Sequence, residues 1–141
     1  MRAGQTLPEL LTVLTIIGVL SAVAAPNVKA ARDQAVVRDG VTELAAALNS
    51  ARAAALRRDA RAVAAFDTAR GEARVIVEQD TLLVRQVGAE LGVRFSASRD
   101  SVVYGPSGRG YGAANTTLIV RRGAVEDTIT VSRLGRVRRA R

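Results

Sequence analysis

The segment "QTLPELLTVLTIIGVLSAVAA", residues 5–25, restricts this chain more than any other feature. It runs for about 21 residues, close to the ~20 that a helix needs to span a bilayer. One ionisable group interrupts it, the carboxylate of Glu9, which follows Pro8 near its start. Inside an apolar helix an ionised side chain costs on the order of 2.5 to 3.5 kcal/mol even on a lenient scale, so such a residue is expected to be functional and to have a partner. A helix amino-terminus returns only about 0.3 to 1 kcal/mol of that to an anion. Pro8 does little harm, because a first-turn proline has no helical N–H bond to lose.

Two general explanations of the segment compete with a specialised one. A secretory signal peptide places basic residues before the apolar run and a small-residue cleavage site after it, and "SAVAAP" supplies the second. A plain membrane anchor requires only the apolar length. Neither accounts for Glu9. Charge does not orient the segment, since Arg2 precedes it and Lys29 and Arg32 follow it.

The remaining residues bound what else the chain can do. At 141 residues there is room for one small domain beyond the apolar segment. The chain has no cysteine and no histidine, so disulfides, thiolate metal sites and the commonest general bases and nucleophiles are missing. No enzyme, metal or cofactor is expected. The formal charge of +8 points toward acidic partners. Lys29 is the one lysine and arginine supplies the other bases in an alanine-rich chain. Composition alone accounts for part of that charge, so it does not by itself identify a partner.

Beyond Pro26, the residues Val37, Val41, Leu44, Leu48, Ala51 and Ala55 recur at spacings of three and four. They predict one apolar stripe on a helix that runs to about Arg58, with Gly40 a weak point within it. After Asp59 the period changes to two. "ARVIVEQ" and "TLLVRQV" read as a hairpin about Asp80, and "GVRFSAS", "SVVYG", "TTLIVRR" and "DTITVSRL" read as further strands. A long helix followed by consecutive strands predicts an α+β domain with a mainly antiparallel sheet against the helix. "GPSGRGYG", residues 105–112, follows a strand and opens no helix, so it reads as a flexible turn rather than a phosphate loop.

"RAGQTLPELLTVLTIIGVLSAVAAP" resembles the leader of type IV pilins and type II secretion pseudopilins. The resemblance implies a leader peptide over 1–4 that prepilin peptidase removes after Gly4, and an N-methylated mature terminus at Gln5. It further implies a membrane and assembly helix over 5–26, an amphipathic stalk over 27–58 and a β-rich domain over 59–141, together the pilin fold. Glu9 falls at the family's signature glutamate, whose implied role is to meet the positive amino-terminus of a neighbouring subunit. Pro26 falls where these pilins kink their helix. Gln5 and Pro8 depart from the family's usual phenylalanine and isoleucine. The implied partners are other pilins or pseudopilins, the peptidase and an inner-membrane assembly platform. The implied location is the bacterial inner membrane, crossed once, with the carboxyl-terminal domain in the periplasm or outside the cell. The carboxyl-terminal half is similar to the GspH/FimT group of minor pseudopilins.

The last residues carry a cluster of arginines, Arg133, Arg136, Arg138, Arg139 and Arg141, with no acid among them. Guanidinium groups bind phosphate bidentately. "GRVR", residues 135–138, resembles the motif with which DNA-binding FimT-type minor pilins capture DNA for uptake, which makes DNA a second candidate partner. The plainer alternative is a solvated terminus in an arginine-rich chain, and no aromatic residue adjoins the motif in sequence.

Overall fold

A computed structural model describes residues 6–112 and 114–140. Its contacts divide the chain into two units, Met1–Arg32 and Asp33–Arg141, each considered separately below. One helix, α1 (Leu7–Arg58), contributes residues to both.

In the first unit large apolar side chains lie on every side of the helix from Leu7 to Leu20. The large apolar side chains from Leu7 to Leu20 are between 47% (Val13) and 72% (Leu7) exposed. A helix with no polar face has to be covered by another apolar medium, and this stretch is long and apolar enough to cross a membrane.

The second unit holds the described core. The predicted stripe is buried in full: Val37, Val41, Leu44, Leu48, Ala51 and Ala55 are each at most 3% exposed. Gly40, within the same face, lets the helix approach the strands: a methyl there would lie 3.1 Å from Val120 Cγ1. Among the described residues eight strands follow, β1 (Ala62–Asp67), β2 (Glu72–Val77), β3 (Asp80–Arg85), β4 (Arg94–Ala97), β5 (Ser101–Tyr104), β6 (Thr116–Arg122), β7 (Val125–Val131) and β8 (Val137–Ala140). A short helix, α2 (Val87–Leu91), lies between β3 and β4.

All strand pairs are antiparallel. The sequence predicts one sheet, and the fold has two: β3-β2-β1-β5 and β4-β6-β7-β8. Alternation along the strands sends one set of side chains inward, Ala62, Ala64 and Phe66 from β1 and Leu118 and Val120 from β6. Phe66 and Phe95 meet edge to face across the two sheets, with centroids 6.5 Å apart. Arg122 ties three elements together. Its Nε lies 3.0 Å from Asp33 Oδ1 on α1, and its Nη1 donates to the Leu91 carbonyl at the end of α2 over 2.6 Å.

Candidate functional site

Two regions carry the residues singled out by sequence. At the amino-terminal end, the Thr6 carbonyl accepts from the N–H groups of Glu9 (3.0 Å) and Leu10 (3.2 Å), which places Pro8 and Glu9 in the first helical turn. The Glu9 side chain is exposed, and none of the described ion pairs involves it. The threonine hydroxyls of the same helix are satisfied internally, Thr12 Oγ1 donating to the Pro8 carbonyl and Thr15 Oγ1 to the Leu11 carbonyl, each over 2.8 Å. Glu9 is therefore the group in this stretch that still needs a partner once water is removed. Gly4 and Gln5 lie outside the described residues. Pro26 falls within the span of α1.

The carboxyl-terminal arginines sit on a hairpin. β7 and β8 are joined by the five residues 132–136, in which the Gly135 N–H donates to the Ser132 carbonyl (2.8 Å) and the Ser132 N–H to the Arg136 carbonyl (2.9 Å). Gly135 adopts φ +76°, the left-handed conformation that closes a loop of this length. Arg133 and Arg136 project from the loop and Arg138 from β8, and all three are exposed. Among the described residues, no carboxylate pairs with any of them.

Arg139 differs. Its Nε donates to Asp127 Oδ2 over 2.7 Å and its Nη2 reaches the same oxygen, so this arginine is engaged within the hairpin. β8 is also an edge strand of its sheet, and charged side chains on an edge discourage unwanted strand pairing. That structural role applies to Arg138 as well as to Arg139.

Residues 105–112 are not the slack turn that their composition suggests. The Gly105 N–H donates to the Arg109 carbonyl (2.9 Å), the Gly108 N–H to the Gly105 carbonyl (2.8 Å) and the Tyr111 N–H to the Val103 carbonyl (2.8 Å). The loop packs directly on the arginine hairpin. A methyl on Gly110 would meet Ala114 Cβ and lie 2.7 Å from the Arg133 carbonyl oxygen. A methyl on Gly135 would lie 2.6 Å from Tyr104 Cε1 and 3.0 Å from the Gly110 nitrogen. Tyr104 is fully buried, with its hydroxyl 3.4 Å from the Gly135 carbonyl oxygen. Burial pushes that hydroxyl up to about 12, while the charge of Arg52 pulls weakly the other way. Gly135, read by sequence as part of a binding motif, is thus the seat on which Tyr104 and the glycine-rich loop rest.

Sequence reasoning missed the surroundings of this loop. The Arg61 guanidinium lies 4.0 Å over the ring of Tyr111, and its Nη2 donates to the Tyr111 hydroxyl over 2.7 Å. The two residues are 50 positions apart, so no local pattern announces them. Among the described residues, no group of His, Cys, Asp and Glu is arranged to hold a metal.

An exposed apolar helix joined to two antiparallel sheets is accompanied by a family match: the model described as "Type II transport protein GspH" covers residues 40–135. The chain belongs to the GspH family. Two crystal structures of the type IV minor pilin FimU from Pseudomonas aeruginosa strain PAO1 share the fold of this GspH-family chain, with TM-scores of 0.62 and 0.59. Each is 13% identical to it in sequence and covers 74% of it, and the match spans 88% and 92% of the respective FimU chains. A search of curated proteins finds no sequence match. Family and fold together make this a pilin-like minor pseudopilin of the GspH/FimT type.

Proposed function

We propose that this chain is a minor subunit of a type II secretion pseudopilus, built into the fibre through its amino-terminal helix and helping to start fibre assembly at or near the tip. Residues 1–4 are a leader removed by prepilin peptidase after Gly4, and Gln5 becomes the methylated terminus. Residues 5–26 hold the subunit in the inner membrane before assembly, residues 27–58 form the stalk with its kink at Pro26, and residues 59–141 face the periplasm. The carrying observation is Glu9, an exposed carboxylate without a described partner and the one ionisable residue in the apolar stretch from Leu7 to Leu20. A positive amino-terminus from a neighbouring subunit satisfies that carboxylate as the helix leaves lipid, and a buried charge is tolerated when it is paired. The test is Glu9→Ala in cells that assemble the fibre. The variant should still be cleaved after Gly4 yet incorporate poorly, and normal incorporation would remove Glu9 from this role.

A second reading gives the same body to a type IV pilus that takes up DNA. What favours it is the hairpin, which presents Arg133, Arg136 and Arg138 exposed and without described carboxylate partners. Arg139 drops out of that set because Asp127 holds it. Binding should be strongest at low salt, because each phosphate contact releases counterions. A titration with duplex DNA checks this reading, which requires that Arg136→Ala with Arg138→Ala weaken the complex.

A further inference from the structure

The glycine-rich loop and the arginine hairpin form one surface. Gly110 abuts the Arg133 carbonyl and the Gly135 nitrogen, so its neighbours Arg109 and Tyr111 flank the loop that carries Arg133 and Arg136. Arg109 is exposed and, among the described residues, is in no ion pair. Tyr111 is held from one side by Arg61 yet remains 52% exposed. Beside it opens a cleft of about 460 Å³ lined by Ser98, Arg99, Asp100, Ser101, Val103 and Tyr111.

We propose that this composite surface binds single-stranded nucleic acid, with phosphates on Arg109, Arg133 and Arg136 and one unpaired base stacked on Tyr111 in the cleft. The proposal rests on the nucleic-acid reading of the hairpin and adds to it a second loop and a preference for strand form. Three features carry it. An aromatic ring already fixed by a guanidinium loses little freedom when a base stacks on it, and every base has a face to offer. Asp100 in the cleft offers an acceptor to base amino groups, and Arg99 beside it offsets its charge, so the cleft does not repel the strand. A duplex keeps its bases paired and stacked, so it reaches the arginines but places nothing in the cleft. The plain alternative is that Tyr111 only covers Arg61.

The test uses the full chain in non-ionic detergent and fluorescence anisotropy with two labelled probes: an oligothymidylate of about 16 nucleotides, and the same strand annealed to its complement. The single strand should bind more tightly than the duplex. Tyr111→Ala should weaken the single strand by roughly ten-fold and leave the duplex unchanged, while Tyr111→Phe should keep most of the affinity. Tyr111→Leu, which retains an apolar cover over Arg61, separates lost stacking from a disturbed loop and should behave as Tyr111→Ala does. Equal effects on both probes, no effect on either, or full affinity in Tyr111→Leu would overturn the stacking site. In those cases loss of binding in the Arg136→Ala, Arg138→Ala variant would leave the hairpin reading standing. Failure of the unmodified chain to bind either probe at low salt would overturn both.

Discussion

Replacing Gly135 by alanine should destabilise the folded unit through two separable effects. At φ +76° any residue with a Cβ incurs the left-handed cost, about 1 kcal/mol. The new methyl would also fall 2.6 Å from Tyr104 Cε1 and 3.0 Å from the Gly110 nitrogen, and relieving such overlap in a packed core costs about 1 to 3 kcal/mol. The sum, about 2 to 4 kcal/mol, corresponds to a fall of roughly 10 °C in Tm for a unit of this size. Two other glycines divide that sum. Gly112 has φ +66° and nothing within 4 Å of its would-be methyl, so Gly112→Ala should cost only the conformational part. Gly110 is not in the left-handed region but would meet Ala114 Cβ and the Arg133 carbonyl, so Gly110→Ala should cost only the packing part. Thermal melts followed by circular dichroism on the three variants should show Gly112→Ala as the least damaging, with Gly110→Ala and Gly135→Ala both melting well below it. If Gly112→Ala and Gly135→Ala melt together, the seat beneath Tyr104 does not contribute as described.

Further expectations concern other joints. Glu78 has φ +57° in the two-residue turn between β2 and β3, so Glu78→Gly should raise stability by about 0.5 to 1 kcal/mol, read as a higher urea midpoint with an unchanged slope. Arg122→Ala should cost about 1 to 2 kcal/mol, because it strands the mostly buried Asp33 and the Leu91 carbonyl. Arg121→Ala should cost less than ~0.5 kcal/mol in the same denaturant assay, its pair with Glu126 being more than half exposed on both sides. Burial raises the Tyr104 hydroxyl to about 12 from an ordinary value near 10. Its contribution is therefore complete below the unfolded value and is lost as pH climbs from about 10 through 12. Tyr104→Phe, followed by circular dichroism, should move alkaline unfolding to higher pH.

Much of this fold was legible because burial repeats with the period of the element. Val37 to Ala55 keep helical spacing and all face the core, and β6 and β7 alternate as their sequences do. β1 is not announced by its sequence, because "AVAAFD" is largely alanine, a weak strand former. α2 hid in the apolar continuation of "TLLVRQV", where β3 stops at Arg85 and a five-residue helix begins at Val87. The division into two sheets depends on which distant strands pair, as when β5 returns to β1, and local periodicity does not carry that information.

The site was legible to a different degree. Glycine content around Gly108 suggested freedom, yet Gly110 is there because another backbone comes too close for a side chain. The arginine cluster was visible in sequence, but the loss of Arg139 to Asp127 was not, since that contact depends on the β7 and β8 register. Tyr111 gains its meaning from Arg61, which precedes β1.

The claim that this GspH-family chain is a fibre subunit rests first on how its amino-terminus is made. Intact-mass and amino-terminal peptide analysis of the protein isolated from cells with a prepilin peptidase tests it most directly. The account predicts a chain that begins at Gln5 and carries one added methyl group on its amino-terminus. A chain that keeps residues 1–4, or one cut after the small residues near Ala25 as a secretory signal would be, would contradict it.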